Sequence, residues 1–136
     1  MFKKRGQVSV EFVITIGFAF LMLIPIMVIF YEHNIKSNQE VNANQAGLIA
    51  RKITDTSNSV YYLGHPTALT IKTYMPDGVE SISITGKEVV FRLSTGQDVV
   101  SISNVNLTGN ISTSPGLKNI RISALVNKVN VSEDVK

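Results

Sequence analysis

The chain has 136 residues, 13 basic and 10 acidic side chains, two His, no Cys and no Trp. That length suits one small domain plus an extra element, and the absence of Cys excludes disulfide scaffolds, thiolate chemistry and Cys-ligated metal sites. The isoelectric point near 9.3 and mean hydropathy of +0.18 invite nucleic-acid or membrane readings, which the placement of charge and apolar residues decides.

The first element is a short basic leader, residues 1–6, holding Lys3, Lys4 and Arg5. The remaining ten basic residues equal the acids in number and are scattered. The basicity therefore belongs to the leader, and no basic face with base-reading residues is expected for nucleic acid.

Next comes an uncharged run of twenty residues, Phe12 to Tyr31. As a helix it reaches about 30 Å, the thickness of a bilayer core. So small a domain could not cover it on all sides. The run is longer than the apolar core of a secretory signal peptide, and no small-residue cleavage site follows it. The leader charges would hold the N-terminus in the cytoplasm and place the remainder outside. Gly17 and Pro25 interrupt the run, and Pro25 predicts a kink or local melting.

The helical pattern continues to about Leu63. Ile35, Gln39, Asn42, Ala46, Ile49, Ile53, Thr56 and Val60 recur at spacings of four and three. Gly64 and Pro66 then supply a stop. A helix over residues 7–63 would be roughly 85 Å long, beyond what one small domain can bury.

Residues 67–136 are rich in β-branched residues, Ser, Thr and Asn. Alternating runs predict strands over Ala68–Met75, Val79–Thr85, Glu88–Leu93 and Asp98–Ser103. Further strands are expected near Val105–Ile111, Leu117–Val126 and Lys128–Val131. Pro76-Asp77-Gly78, Thr85-Gly86-Lys87 and Ser94-Thr95-Gly96-Gln97 are the expected turns. The expected fold class is α+β: a long N-terminal helix followed by a small antiparallel β-sheet or sandwich head over residues 67–136.

The most informative residues precede the apolar run. Glu11 stands at the edge of a bilayer-length segment, where a carboxylate needs a partner. As an interfacial acid in the first helical turn it would gain only the dipole interaction. Cleavage after Gly6 would instead create an amine at Gln7, four residues away, able to pair with Glu11 on its own chain or a neighbour.

The leader Lys3-Lys4-Arg5-Gly6, then Gln7, Ser9 and Glu11, then the apolar helix, resemble the class III signal peptide of archaeal type IV pilin-like proteins. The resemblance covers about residues 3–31. It implies cleavage between Gly6 and Gln7 by a membrane-embedded prepilin peptidase. It also implies assembly through Gln7, Ser9 and Glu11 into a helical homopolymer, with heads outside and an assembly platform as a further partner. Thr15 stands where the subfamily pattern has Leu. The start is also similar to Tad-system pseudopilins, so a minor pilin or pseudopilin is one alternative; a single-pass anchored binding domain is the other. The expected location is the cytoplasmic membrane for the precursor, then the cell surface.

Three N-glycosylation sequons begin at Asn106, Asn110 and Asn130, about as many as the composition gives by chance. His33 and His65 form no ligand cluster by spacing. No nucleophile–base set or phosphate loop is visible, so no enzyme activity, cofactor or metal is expected.

Overall fold

The computed structural model describes residues 3–134, with side chains from residue 6 onward. The chain divides into two compact units, residues 1–38 and 39–136. One helix, α1 (Lys3–Leu63), contributes to both.

In the first unit α1 is unbroken, and every described side chain is exposed. The helix passes through Pro25 without the expected melting. Proline removes one amide donor and crowds one turn. Leu21, Met22, Leu23 and Met27 nearby are good helix formers, and the remaining turns keep their hydrogen bonds.

In the second unit, Gly64 ends α1 with a φ of 84°. Only glycine takes that left-handed conformation without a Cβ clash. Five strands follow: β1 (Ala68–Met75), β2 (Val79–Leu93), β3 (Asp98–Asn110), β4 (Gly116–Ala124) and β5 (Val129–Glu133). They form one sheet in the order β1-β4-β5-β3-β2. All neighbours are antiparallel except β3 and β5, which run parallel.

The fold is thus the expected α+β, with the antiparallel-sheet alternative realised as one five-stranded, mostly antiparallel sheet in which β3 and β5 are the parallel pair. The second layer is α1 itself. Ala46, Ile49, Ala50, Ile53 and Val60 are buried against the sheet-borne Met75, Phe91, Ile120, Ile122, Val129 and Val131. A helix stripe that covers one sheet face removes the need for a second sheet.

The observed stripe differs from the heptad-like one. Ala50, Thr54 and Ser57 are buried, Thr56 is only half-buried, and Gln39 and Ile35 are exposed. A straight helix turns every 3.6 residues, so a strict 3.5-residue stripe drifts off the covered face.

The two breaks expected within β2 and β3 have different outcomes. Strand hydrogen bonding in β2 continues through Gly86, but the chain reverses there as expected: the Ser94 amide donates to the Gly78 carbonyl oxygen (2.8 Å), which brings the two ends of β2 together. Gly86 takes the positive φ of 63° that suits such a turn, and the buried side chains change phase across it, from Ile84 to Val89, Phe91 and Leu93. Strand β3 is continuous where two strands were expected. Between the pairs Gly86↔Leu107 and Glu88↔Ile102, β2 advances two residues while β3 advances five, a bulge of three extra residues on β3.

The parallel pair depends on Gly109. It faces Val131 in the register, and a Cβ built there would lie 1.8 Å from the Val131 carbonyl oxygen. Its φ of 149° also disfavours other residues. Here glycine permits two backbones to approach.

Candidate functional site

The assembly residues expected from the sequence all fall on α1. Gly6, Gln7, Ser9 and Glu11 lie in its first turns with exposed side chains. The leader residues Lys3, Lys4 and Arg5 are helical in backbone, but their side chains lie outside the described ones. Gln7, Glu11 and Thr15 follow one another at four-residue spacing and share one helix face. The Thr15 hydroxyl donates to the Glu11 carbonyl oxygen at 2.8 Å. It therefore satisfies itself within the helix, as Thr does in apolar surroundings.

The Glu11 carboxylate has no such arrangement. Among the described residues the ion pairs are Arg92–Asp98 and Lys118–Glu133. A carboxylate beside twenty exposed apolar or uncharged residues is the polar group in this unit most in need of an outside partner.

Phe12, Phe18, Phe20, Ile24, Met27 and Phe30 are among a ring of large apolar side chains exposed on every side of α1. Soluble monomers rarely leave so large an apolar surface uncovered. A helix this long and apolar suits membrane insertion or secretion.

The second unit contains two polar arrangements that the sequence did not reveal. The first holds the β3 bulge. Asn58 of α1 accepts hydrogen bonds from the Ser103 hydroxyl (2.8 Å) and the Asn104 amide (3.1 Å). The Ser103 hydroxyl accepts in turn from the Val105 amide. Thr54 and Ser101 hydroxyls meet at 2.9 Å one helical turn away. Of the backbone amides freed by the bulge, Asn104 is thereby partnered from the helix and Val105 from within β3.

The second is built on Lys118, which is only 5% exposed. Its ammonium donates to Glu133 Oε1 (2.7 Å), to the Ser114 hydroxyl (3.0 Å) and to the Ser112 hydroxyl. The Ser112 amide and hydroxyl both donate to Glu133 Oε2. Hydrogen bonds from Lys118 and Ser112 hold the Glu133 carboxyl at about 2, against the opposing effect of desolvation. The set binds the segment between β3 and β4 to the end of β5. It is a closed structural network: every one of its donors is already committed within the chain.

The three sequons share one strand face. Asn106 and Asn110 on β3 are exposed, whereas Asn130 is half-buried on the central strand β5 between Ser123 of β4 and Thr108 of β3. Their strand setting places all three on the face away from α1, since the alternate residues Val105, Leu107, Val129 and Val131 are buried. His65 lies exposed in the turn after α1.

No protein-family model, curated protein or solved structure matches the chain. The chain is a long apolar N-terminal helix whose last turns pack on a mixed β-sheet, a pilin-like architecture.

Proposed function

We propose that this chain is the structural subunit, a pilin, of an archaeal type IV pilus-like surface filament. It is inserted with its β-rich head outside, cut after Gly6 by a prepilin peptidase, and polymerised through its N-terminal helix. The observation that carries this reading is the combination of Gly6, Gln7, Ser9 and Glu11 with an unbroken helix whose twenty uncharged residues are exposed all round.

The chemistry of each part supports it. The Gly6–Gln7 bond lies inside a helix, so a protease must unwind the first turn. Glycine has the lowest helix propensity after proline, about 1 kcal/mol below alanine, which makes Gly6 the easiest place to open. Cleavage removes Lys3, Lys4 and Arg5 and leaves side chains with formal charge zero. It also places an amine four residues before Glu11, on the same helix face. A helix leaving lipid for a bundle of like helices gains nothing from the hydrophobic effect. Packing and a neutralised Glu11 must favour the polymer.

The test is mass spectrometry of the protein recovered from sheared cell surfaces, with electron microscopy of the same material. A chain beginning at Gln7 within filaments is the expected result. A chain beginning at Met1, or beyond Tyr31, would sink the reading. A mature chain with no filament would leave an anchored domain in its place.

A further inference from the structure

The unit formed by residues 39–136 has two dissimilar ends. At the distal end α1 stops and the β4–β5 hairpin turns. The Ala124 amide donates to the Thr67 carbonyl (2.9 Å) and the Leu125 amide to the Lys128 carbonyl (2.8 Å), so the two turns lie side by side. Hairpin tips are usually built from Gly, Asn, Asp and Ser. This one carries Leu125 and Val126, and Val126 is 81% exposed. In the last turn of α1, which ends at Leu63 shortly before Thr67, Tyr62 is 74% and Leu63 67% exposed. The one charged residue of these turns among the described residues is a base, Lys128.

At the proximal end the turns at Asp77-Gly78 and Ser94-Thr95 lie beside Gln39 and Asn42 of α1. Glu40, Asp77 and Glu80 are exposed there, while Arg92 is held by Asp98. Next to these turns is a groove of about 400 Å³ lined by Ala43, Asn44, Gly47, Leu48, Arg51 and Val99. Gly47 opens its floor: a Cβ there would already touch Val99 Cγ1 at 3.5 Å.

We propose that the apolar tip formed by Tyr62, Leu63 and Val126 of one copy seats in the Gly47 groove of a second copy, head to tail. This rests on the polymer reading above and names the contact between heads. The two surfaces differ, so the contact is heterologous; repeated with the axial rise of the helical polymer, it extends a filament. Lys128 approaches the acidic proximal end of the neighbour, which gives charge complementarity and fixes direction. Arg51 offers a guanidinium to the face of the inserted Tyr62 ring. A neighbour's apolar helix would fit this groove poorly, because Asn44 and Arg51 would be left dry and unpartnered.

The experiment places a photo-crosslinking amino acid at Asn44 in the full chain and irradiates assembled filaments. Mass spectrometry of the adduct then identifies the partner peptide. The segment 122–128 from another copy is the expected partner. A peptide from residues 12–31 would put a neighbour's apolar helix in the groove and overturn the proposal while leaving the polymer reading intact. Filaments that give no adduct would overturn it in the same way. Absence of filaments from the unmodified chain would overturn the polymer reading and this contact together. A second variant keeps the test independent of the crosslinker. Val126→Lys is expected to lower filament recovery about tenfold, with precursor level and cleavage after Gly6 unchanged, whereas Val126→Leu retains recovery. Full recovery from Val126→Lys would also overturn it.

Discussion

Gly109 and Ser57 show how differently single residues contribute. A Cβ at position 109 would collide with the Val131 carbonyl, and no side chain can swing aside to relieve a backbone clash. Gly109→Ala should therefore destabilise the second unit by about 3 kcal/mol or more, or prevent its folding. Protease resistance of the full chain in detergent is the measurement, and wild-type resistance would refute it. Ser57 is the opposite case. Its hydroxyl is buried with no hydrogen-bond partner among the described residues. Ser57→Ala removes an unpaired polar atom and improves helix propensity, so stability should stay level or rise by up to about 1 kcal/mol.

Glu133 gives the residue scale its pH dependence. Its carboxyl is held at about 2, below its usual 4.5, by Lys118 and Ser112. A depressed carboxyl contributes stability that is fully present above its unfolded value and lost as pH falls through its folded value. Between roughly pH 4.5 and 2 the second unit should lose on the order of 2 kcal/mol from this group. Glu133→Gln should flatten that part of the acid unfolding profile. An unchanged profile would show that the Lys118 network does not set acid stability. Removing Lys118 alone is the harsher change, since it leaves a largely covered carboxylate without its cation.

At the scale of elements, the β3 bulge and the helix stripe decide how α1 meets the sheet. Asn58 of α1 accepts from both the bulge backbone and the bulge hydroxyl. Asn58→Ala should cost about 1–2 kcal/mol, and Asn58→Asp, which keeps the accepting oxygen, distinctly less. Thermal unfolding of the two variants side by side separates them. Equal losses would assign the effect to helix packing and not to the bulge.

The elements also show what the pattern of residues could and could not reveal. Alternation located β1 to the residue, and Gly64 marked the end of α1, because both signals are local. Gly86 reads as a turn in sequence because glycine with neighbouring polar residues is the usual turn composition. The chain does reverse there, since the Ser94 amide meets the Gly78 carbonyl oxygen, while pairing with β3 on both sides carries strand hydrogen bonding up to the turn. Likewise, nothing local shows that β5 enters between β4 and β3. That insertion is what makes one pair parallel and what makes Gly109 indispensable.

At the scale of the whole molecule, the question is what satisfies Glu11 and the exposed apolar helix. On the pilin reading proposed above, Glu11→Ala should leave cleavage after Gly6 intact, because residues 1–7 are unchanged. Assembly should fall, because the new Gln7 amine would have no carboxylate in an apolar core. Filament yield by electron microscopy, measured beside the mature N-terminus by mass spectrometry, checks both halves. Normal yield would remove the pairing role and leave packing alone to drive assembly.

The sequence by itself determined the helix, its bilayer-length apolar stretch, the end of that helix and the β-rich character of the remainder. These follow from composition and short-range periodicity, which act through neighbouring residues. It also located the excess basic charge at Lys3, Lys4 and Arg5, so an isoelectric point of 9.3 describes those residues and not a binding face. Only the tertiary structure decided the strand order, the parallel β3–β5 pair, the burial of Lys118 and the partnering of the bulge by Asn58. Each of these joins residues far apart in the chain, and their free energy depends on desolvation and backbone approach that no local pattern encodes.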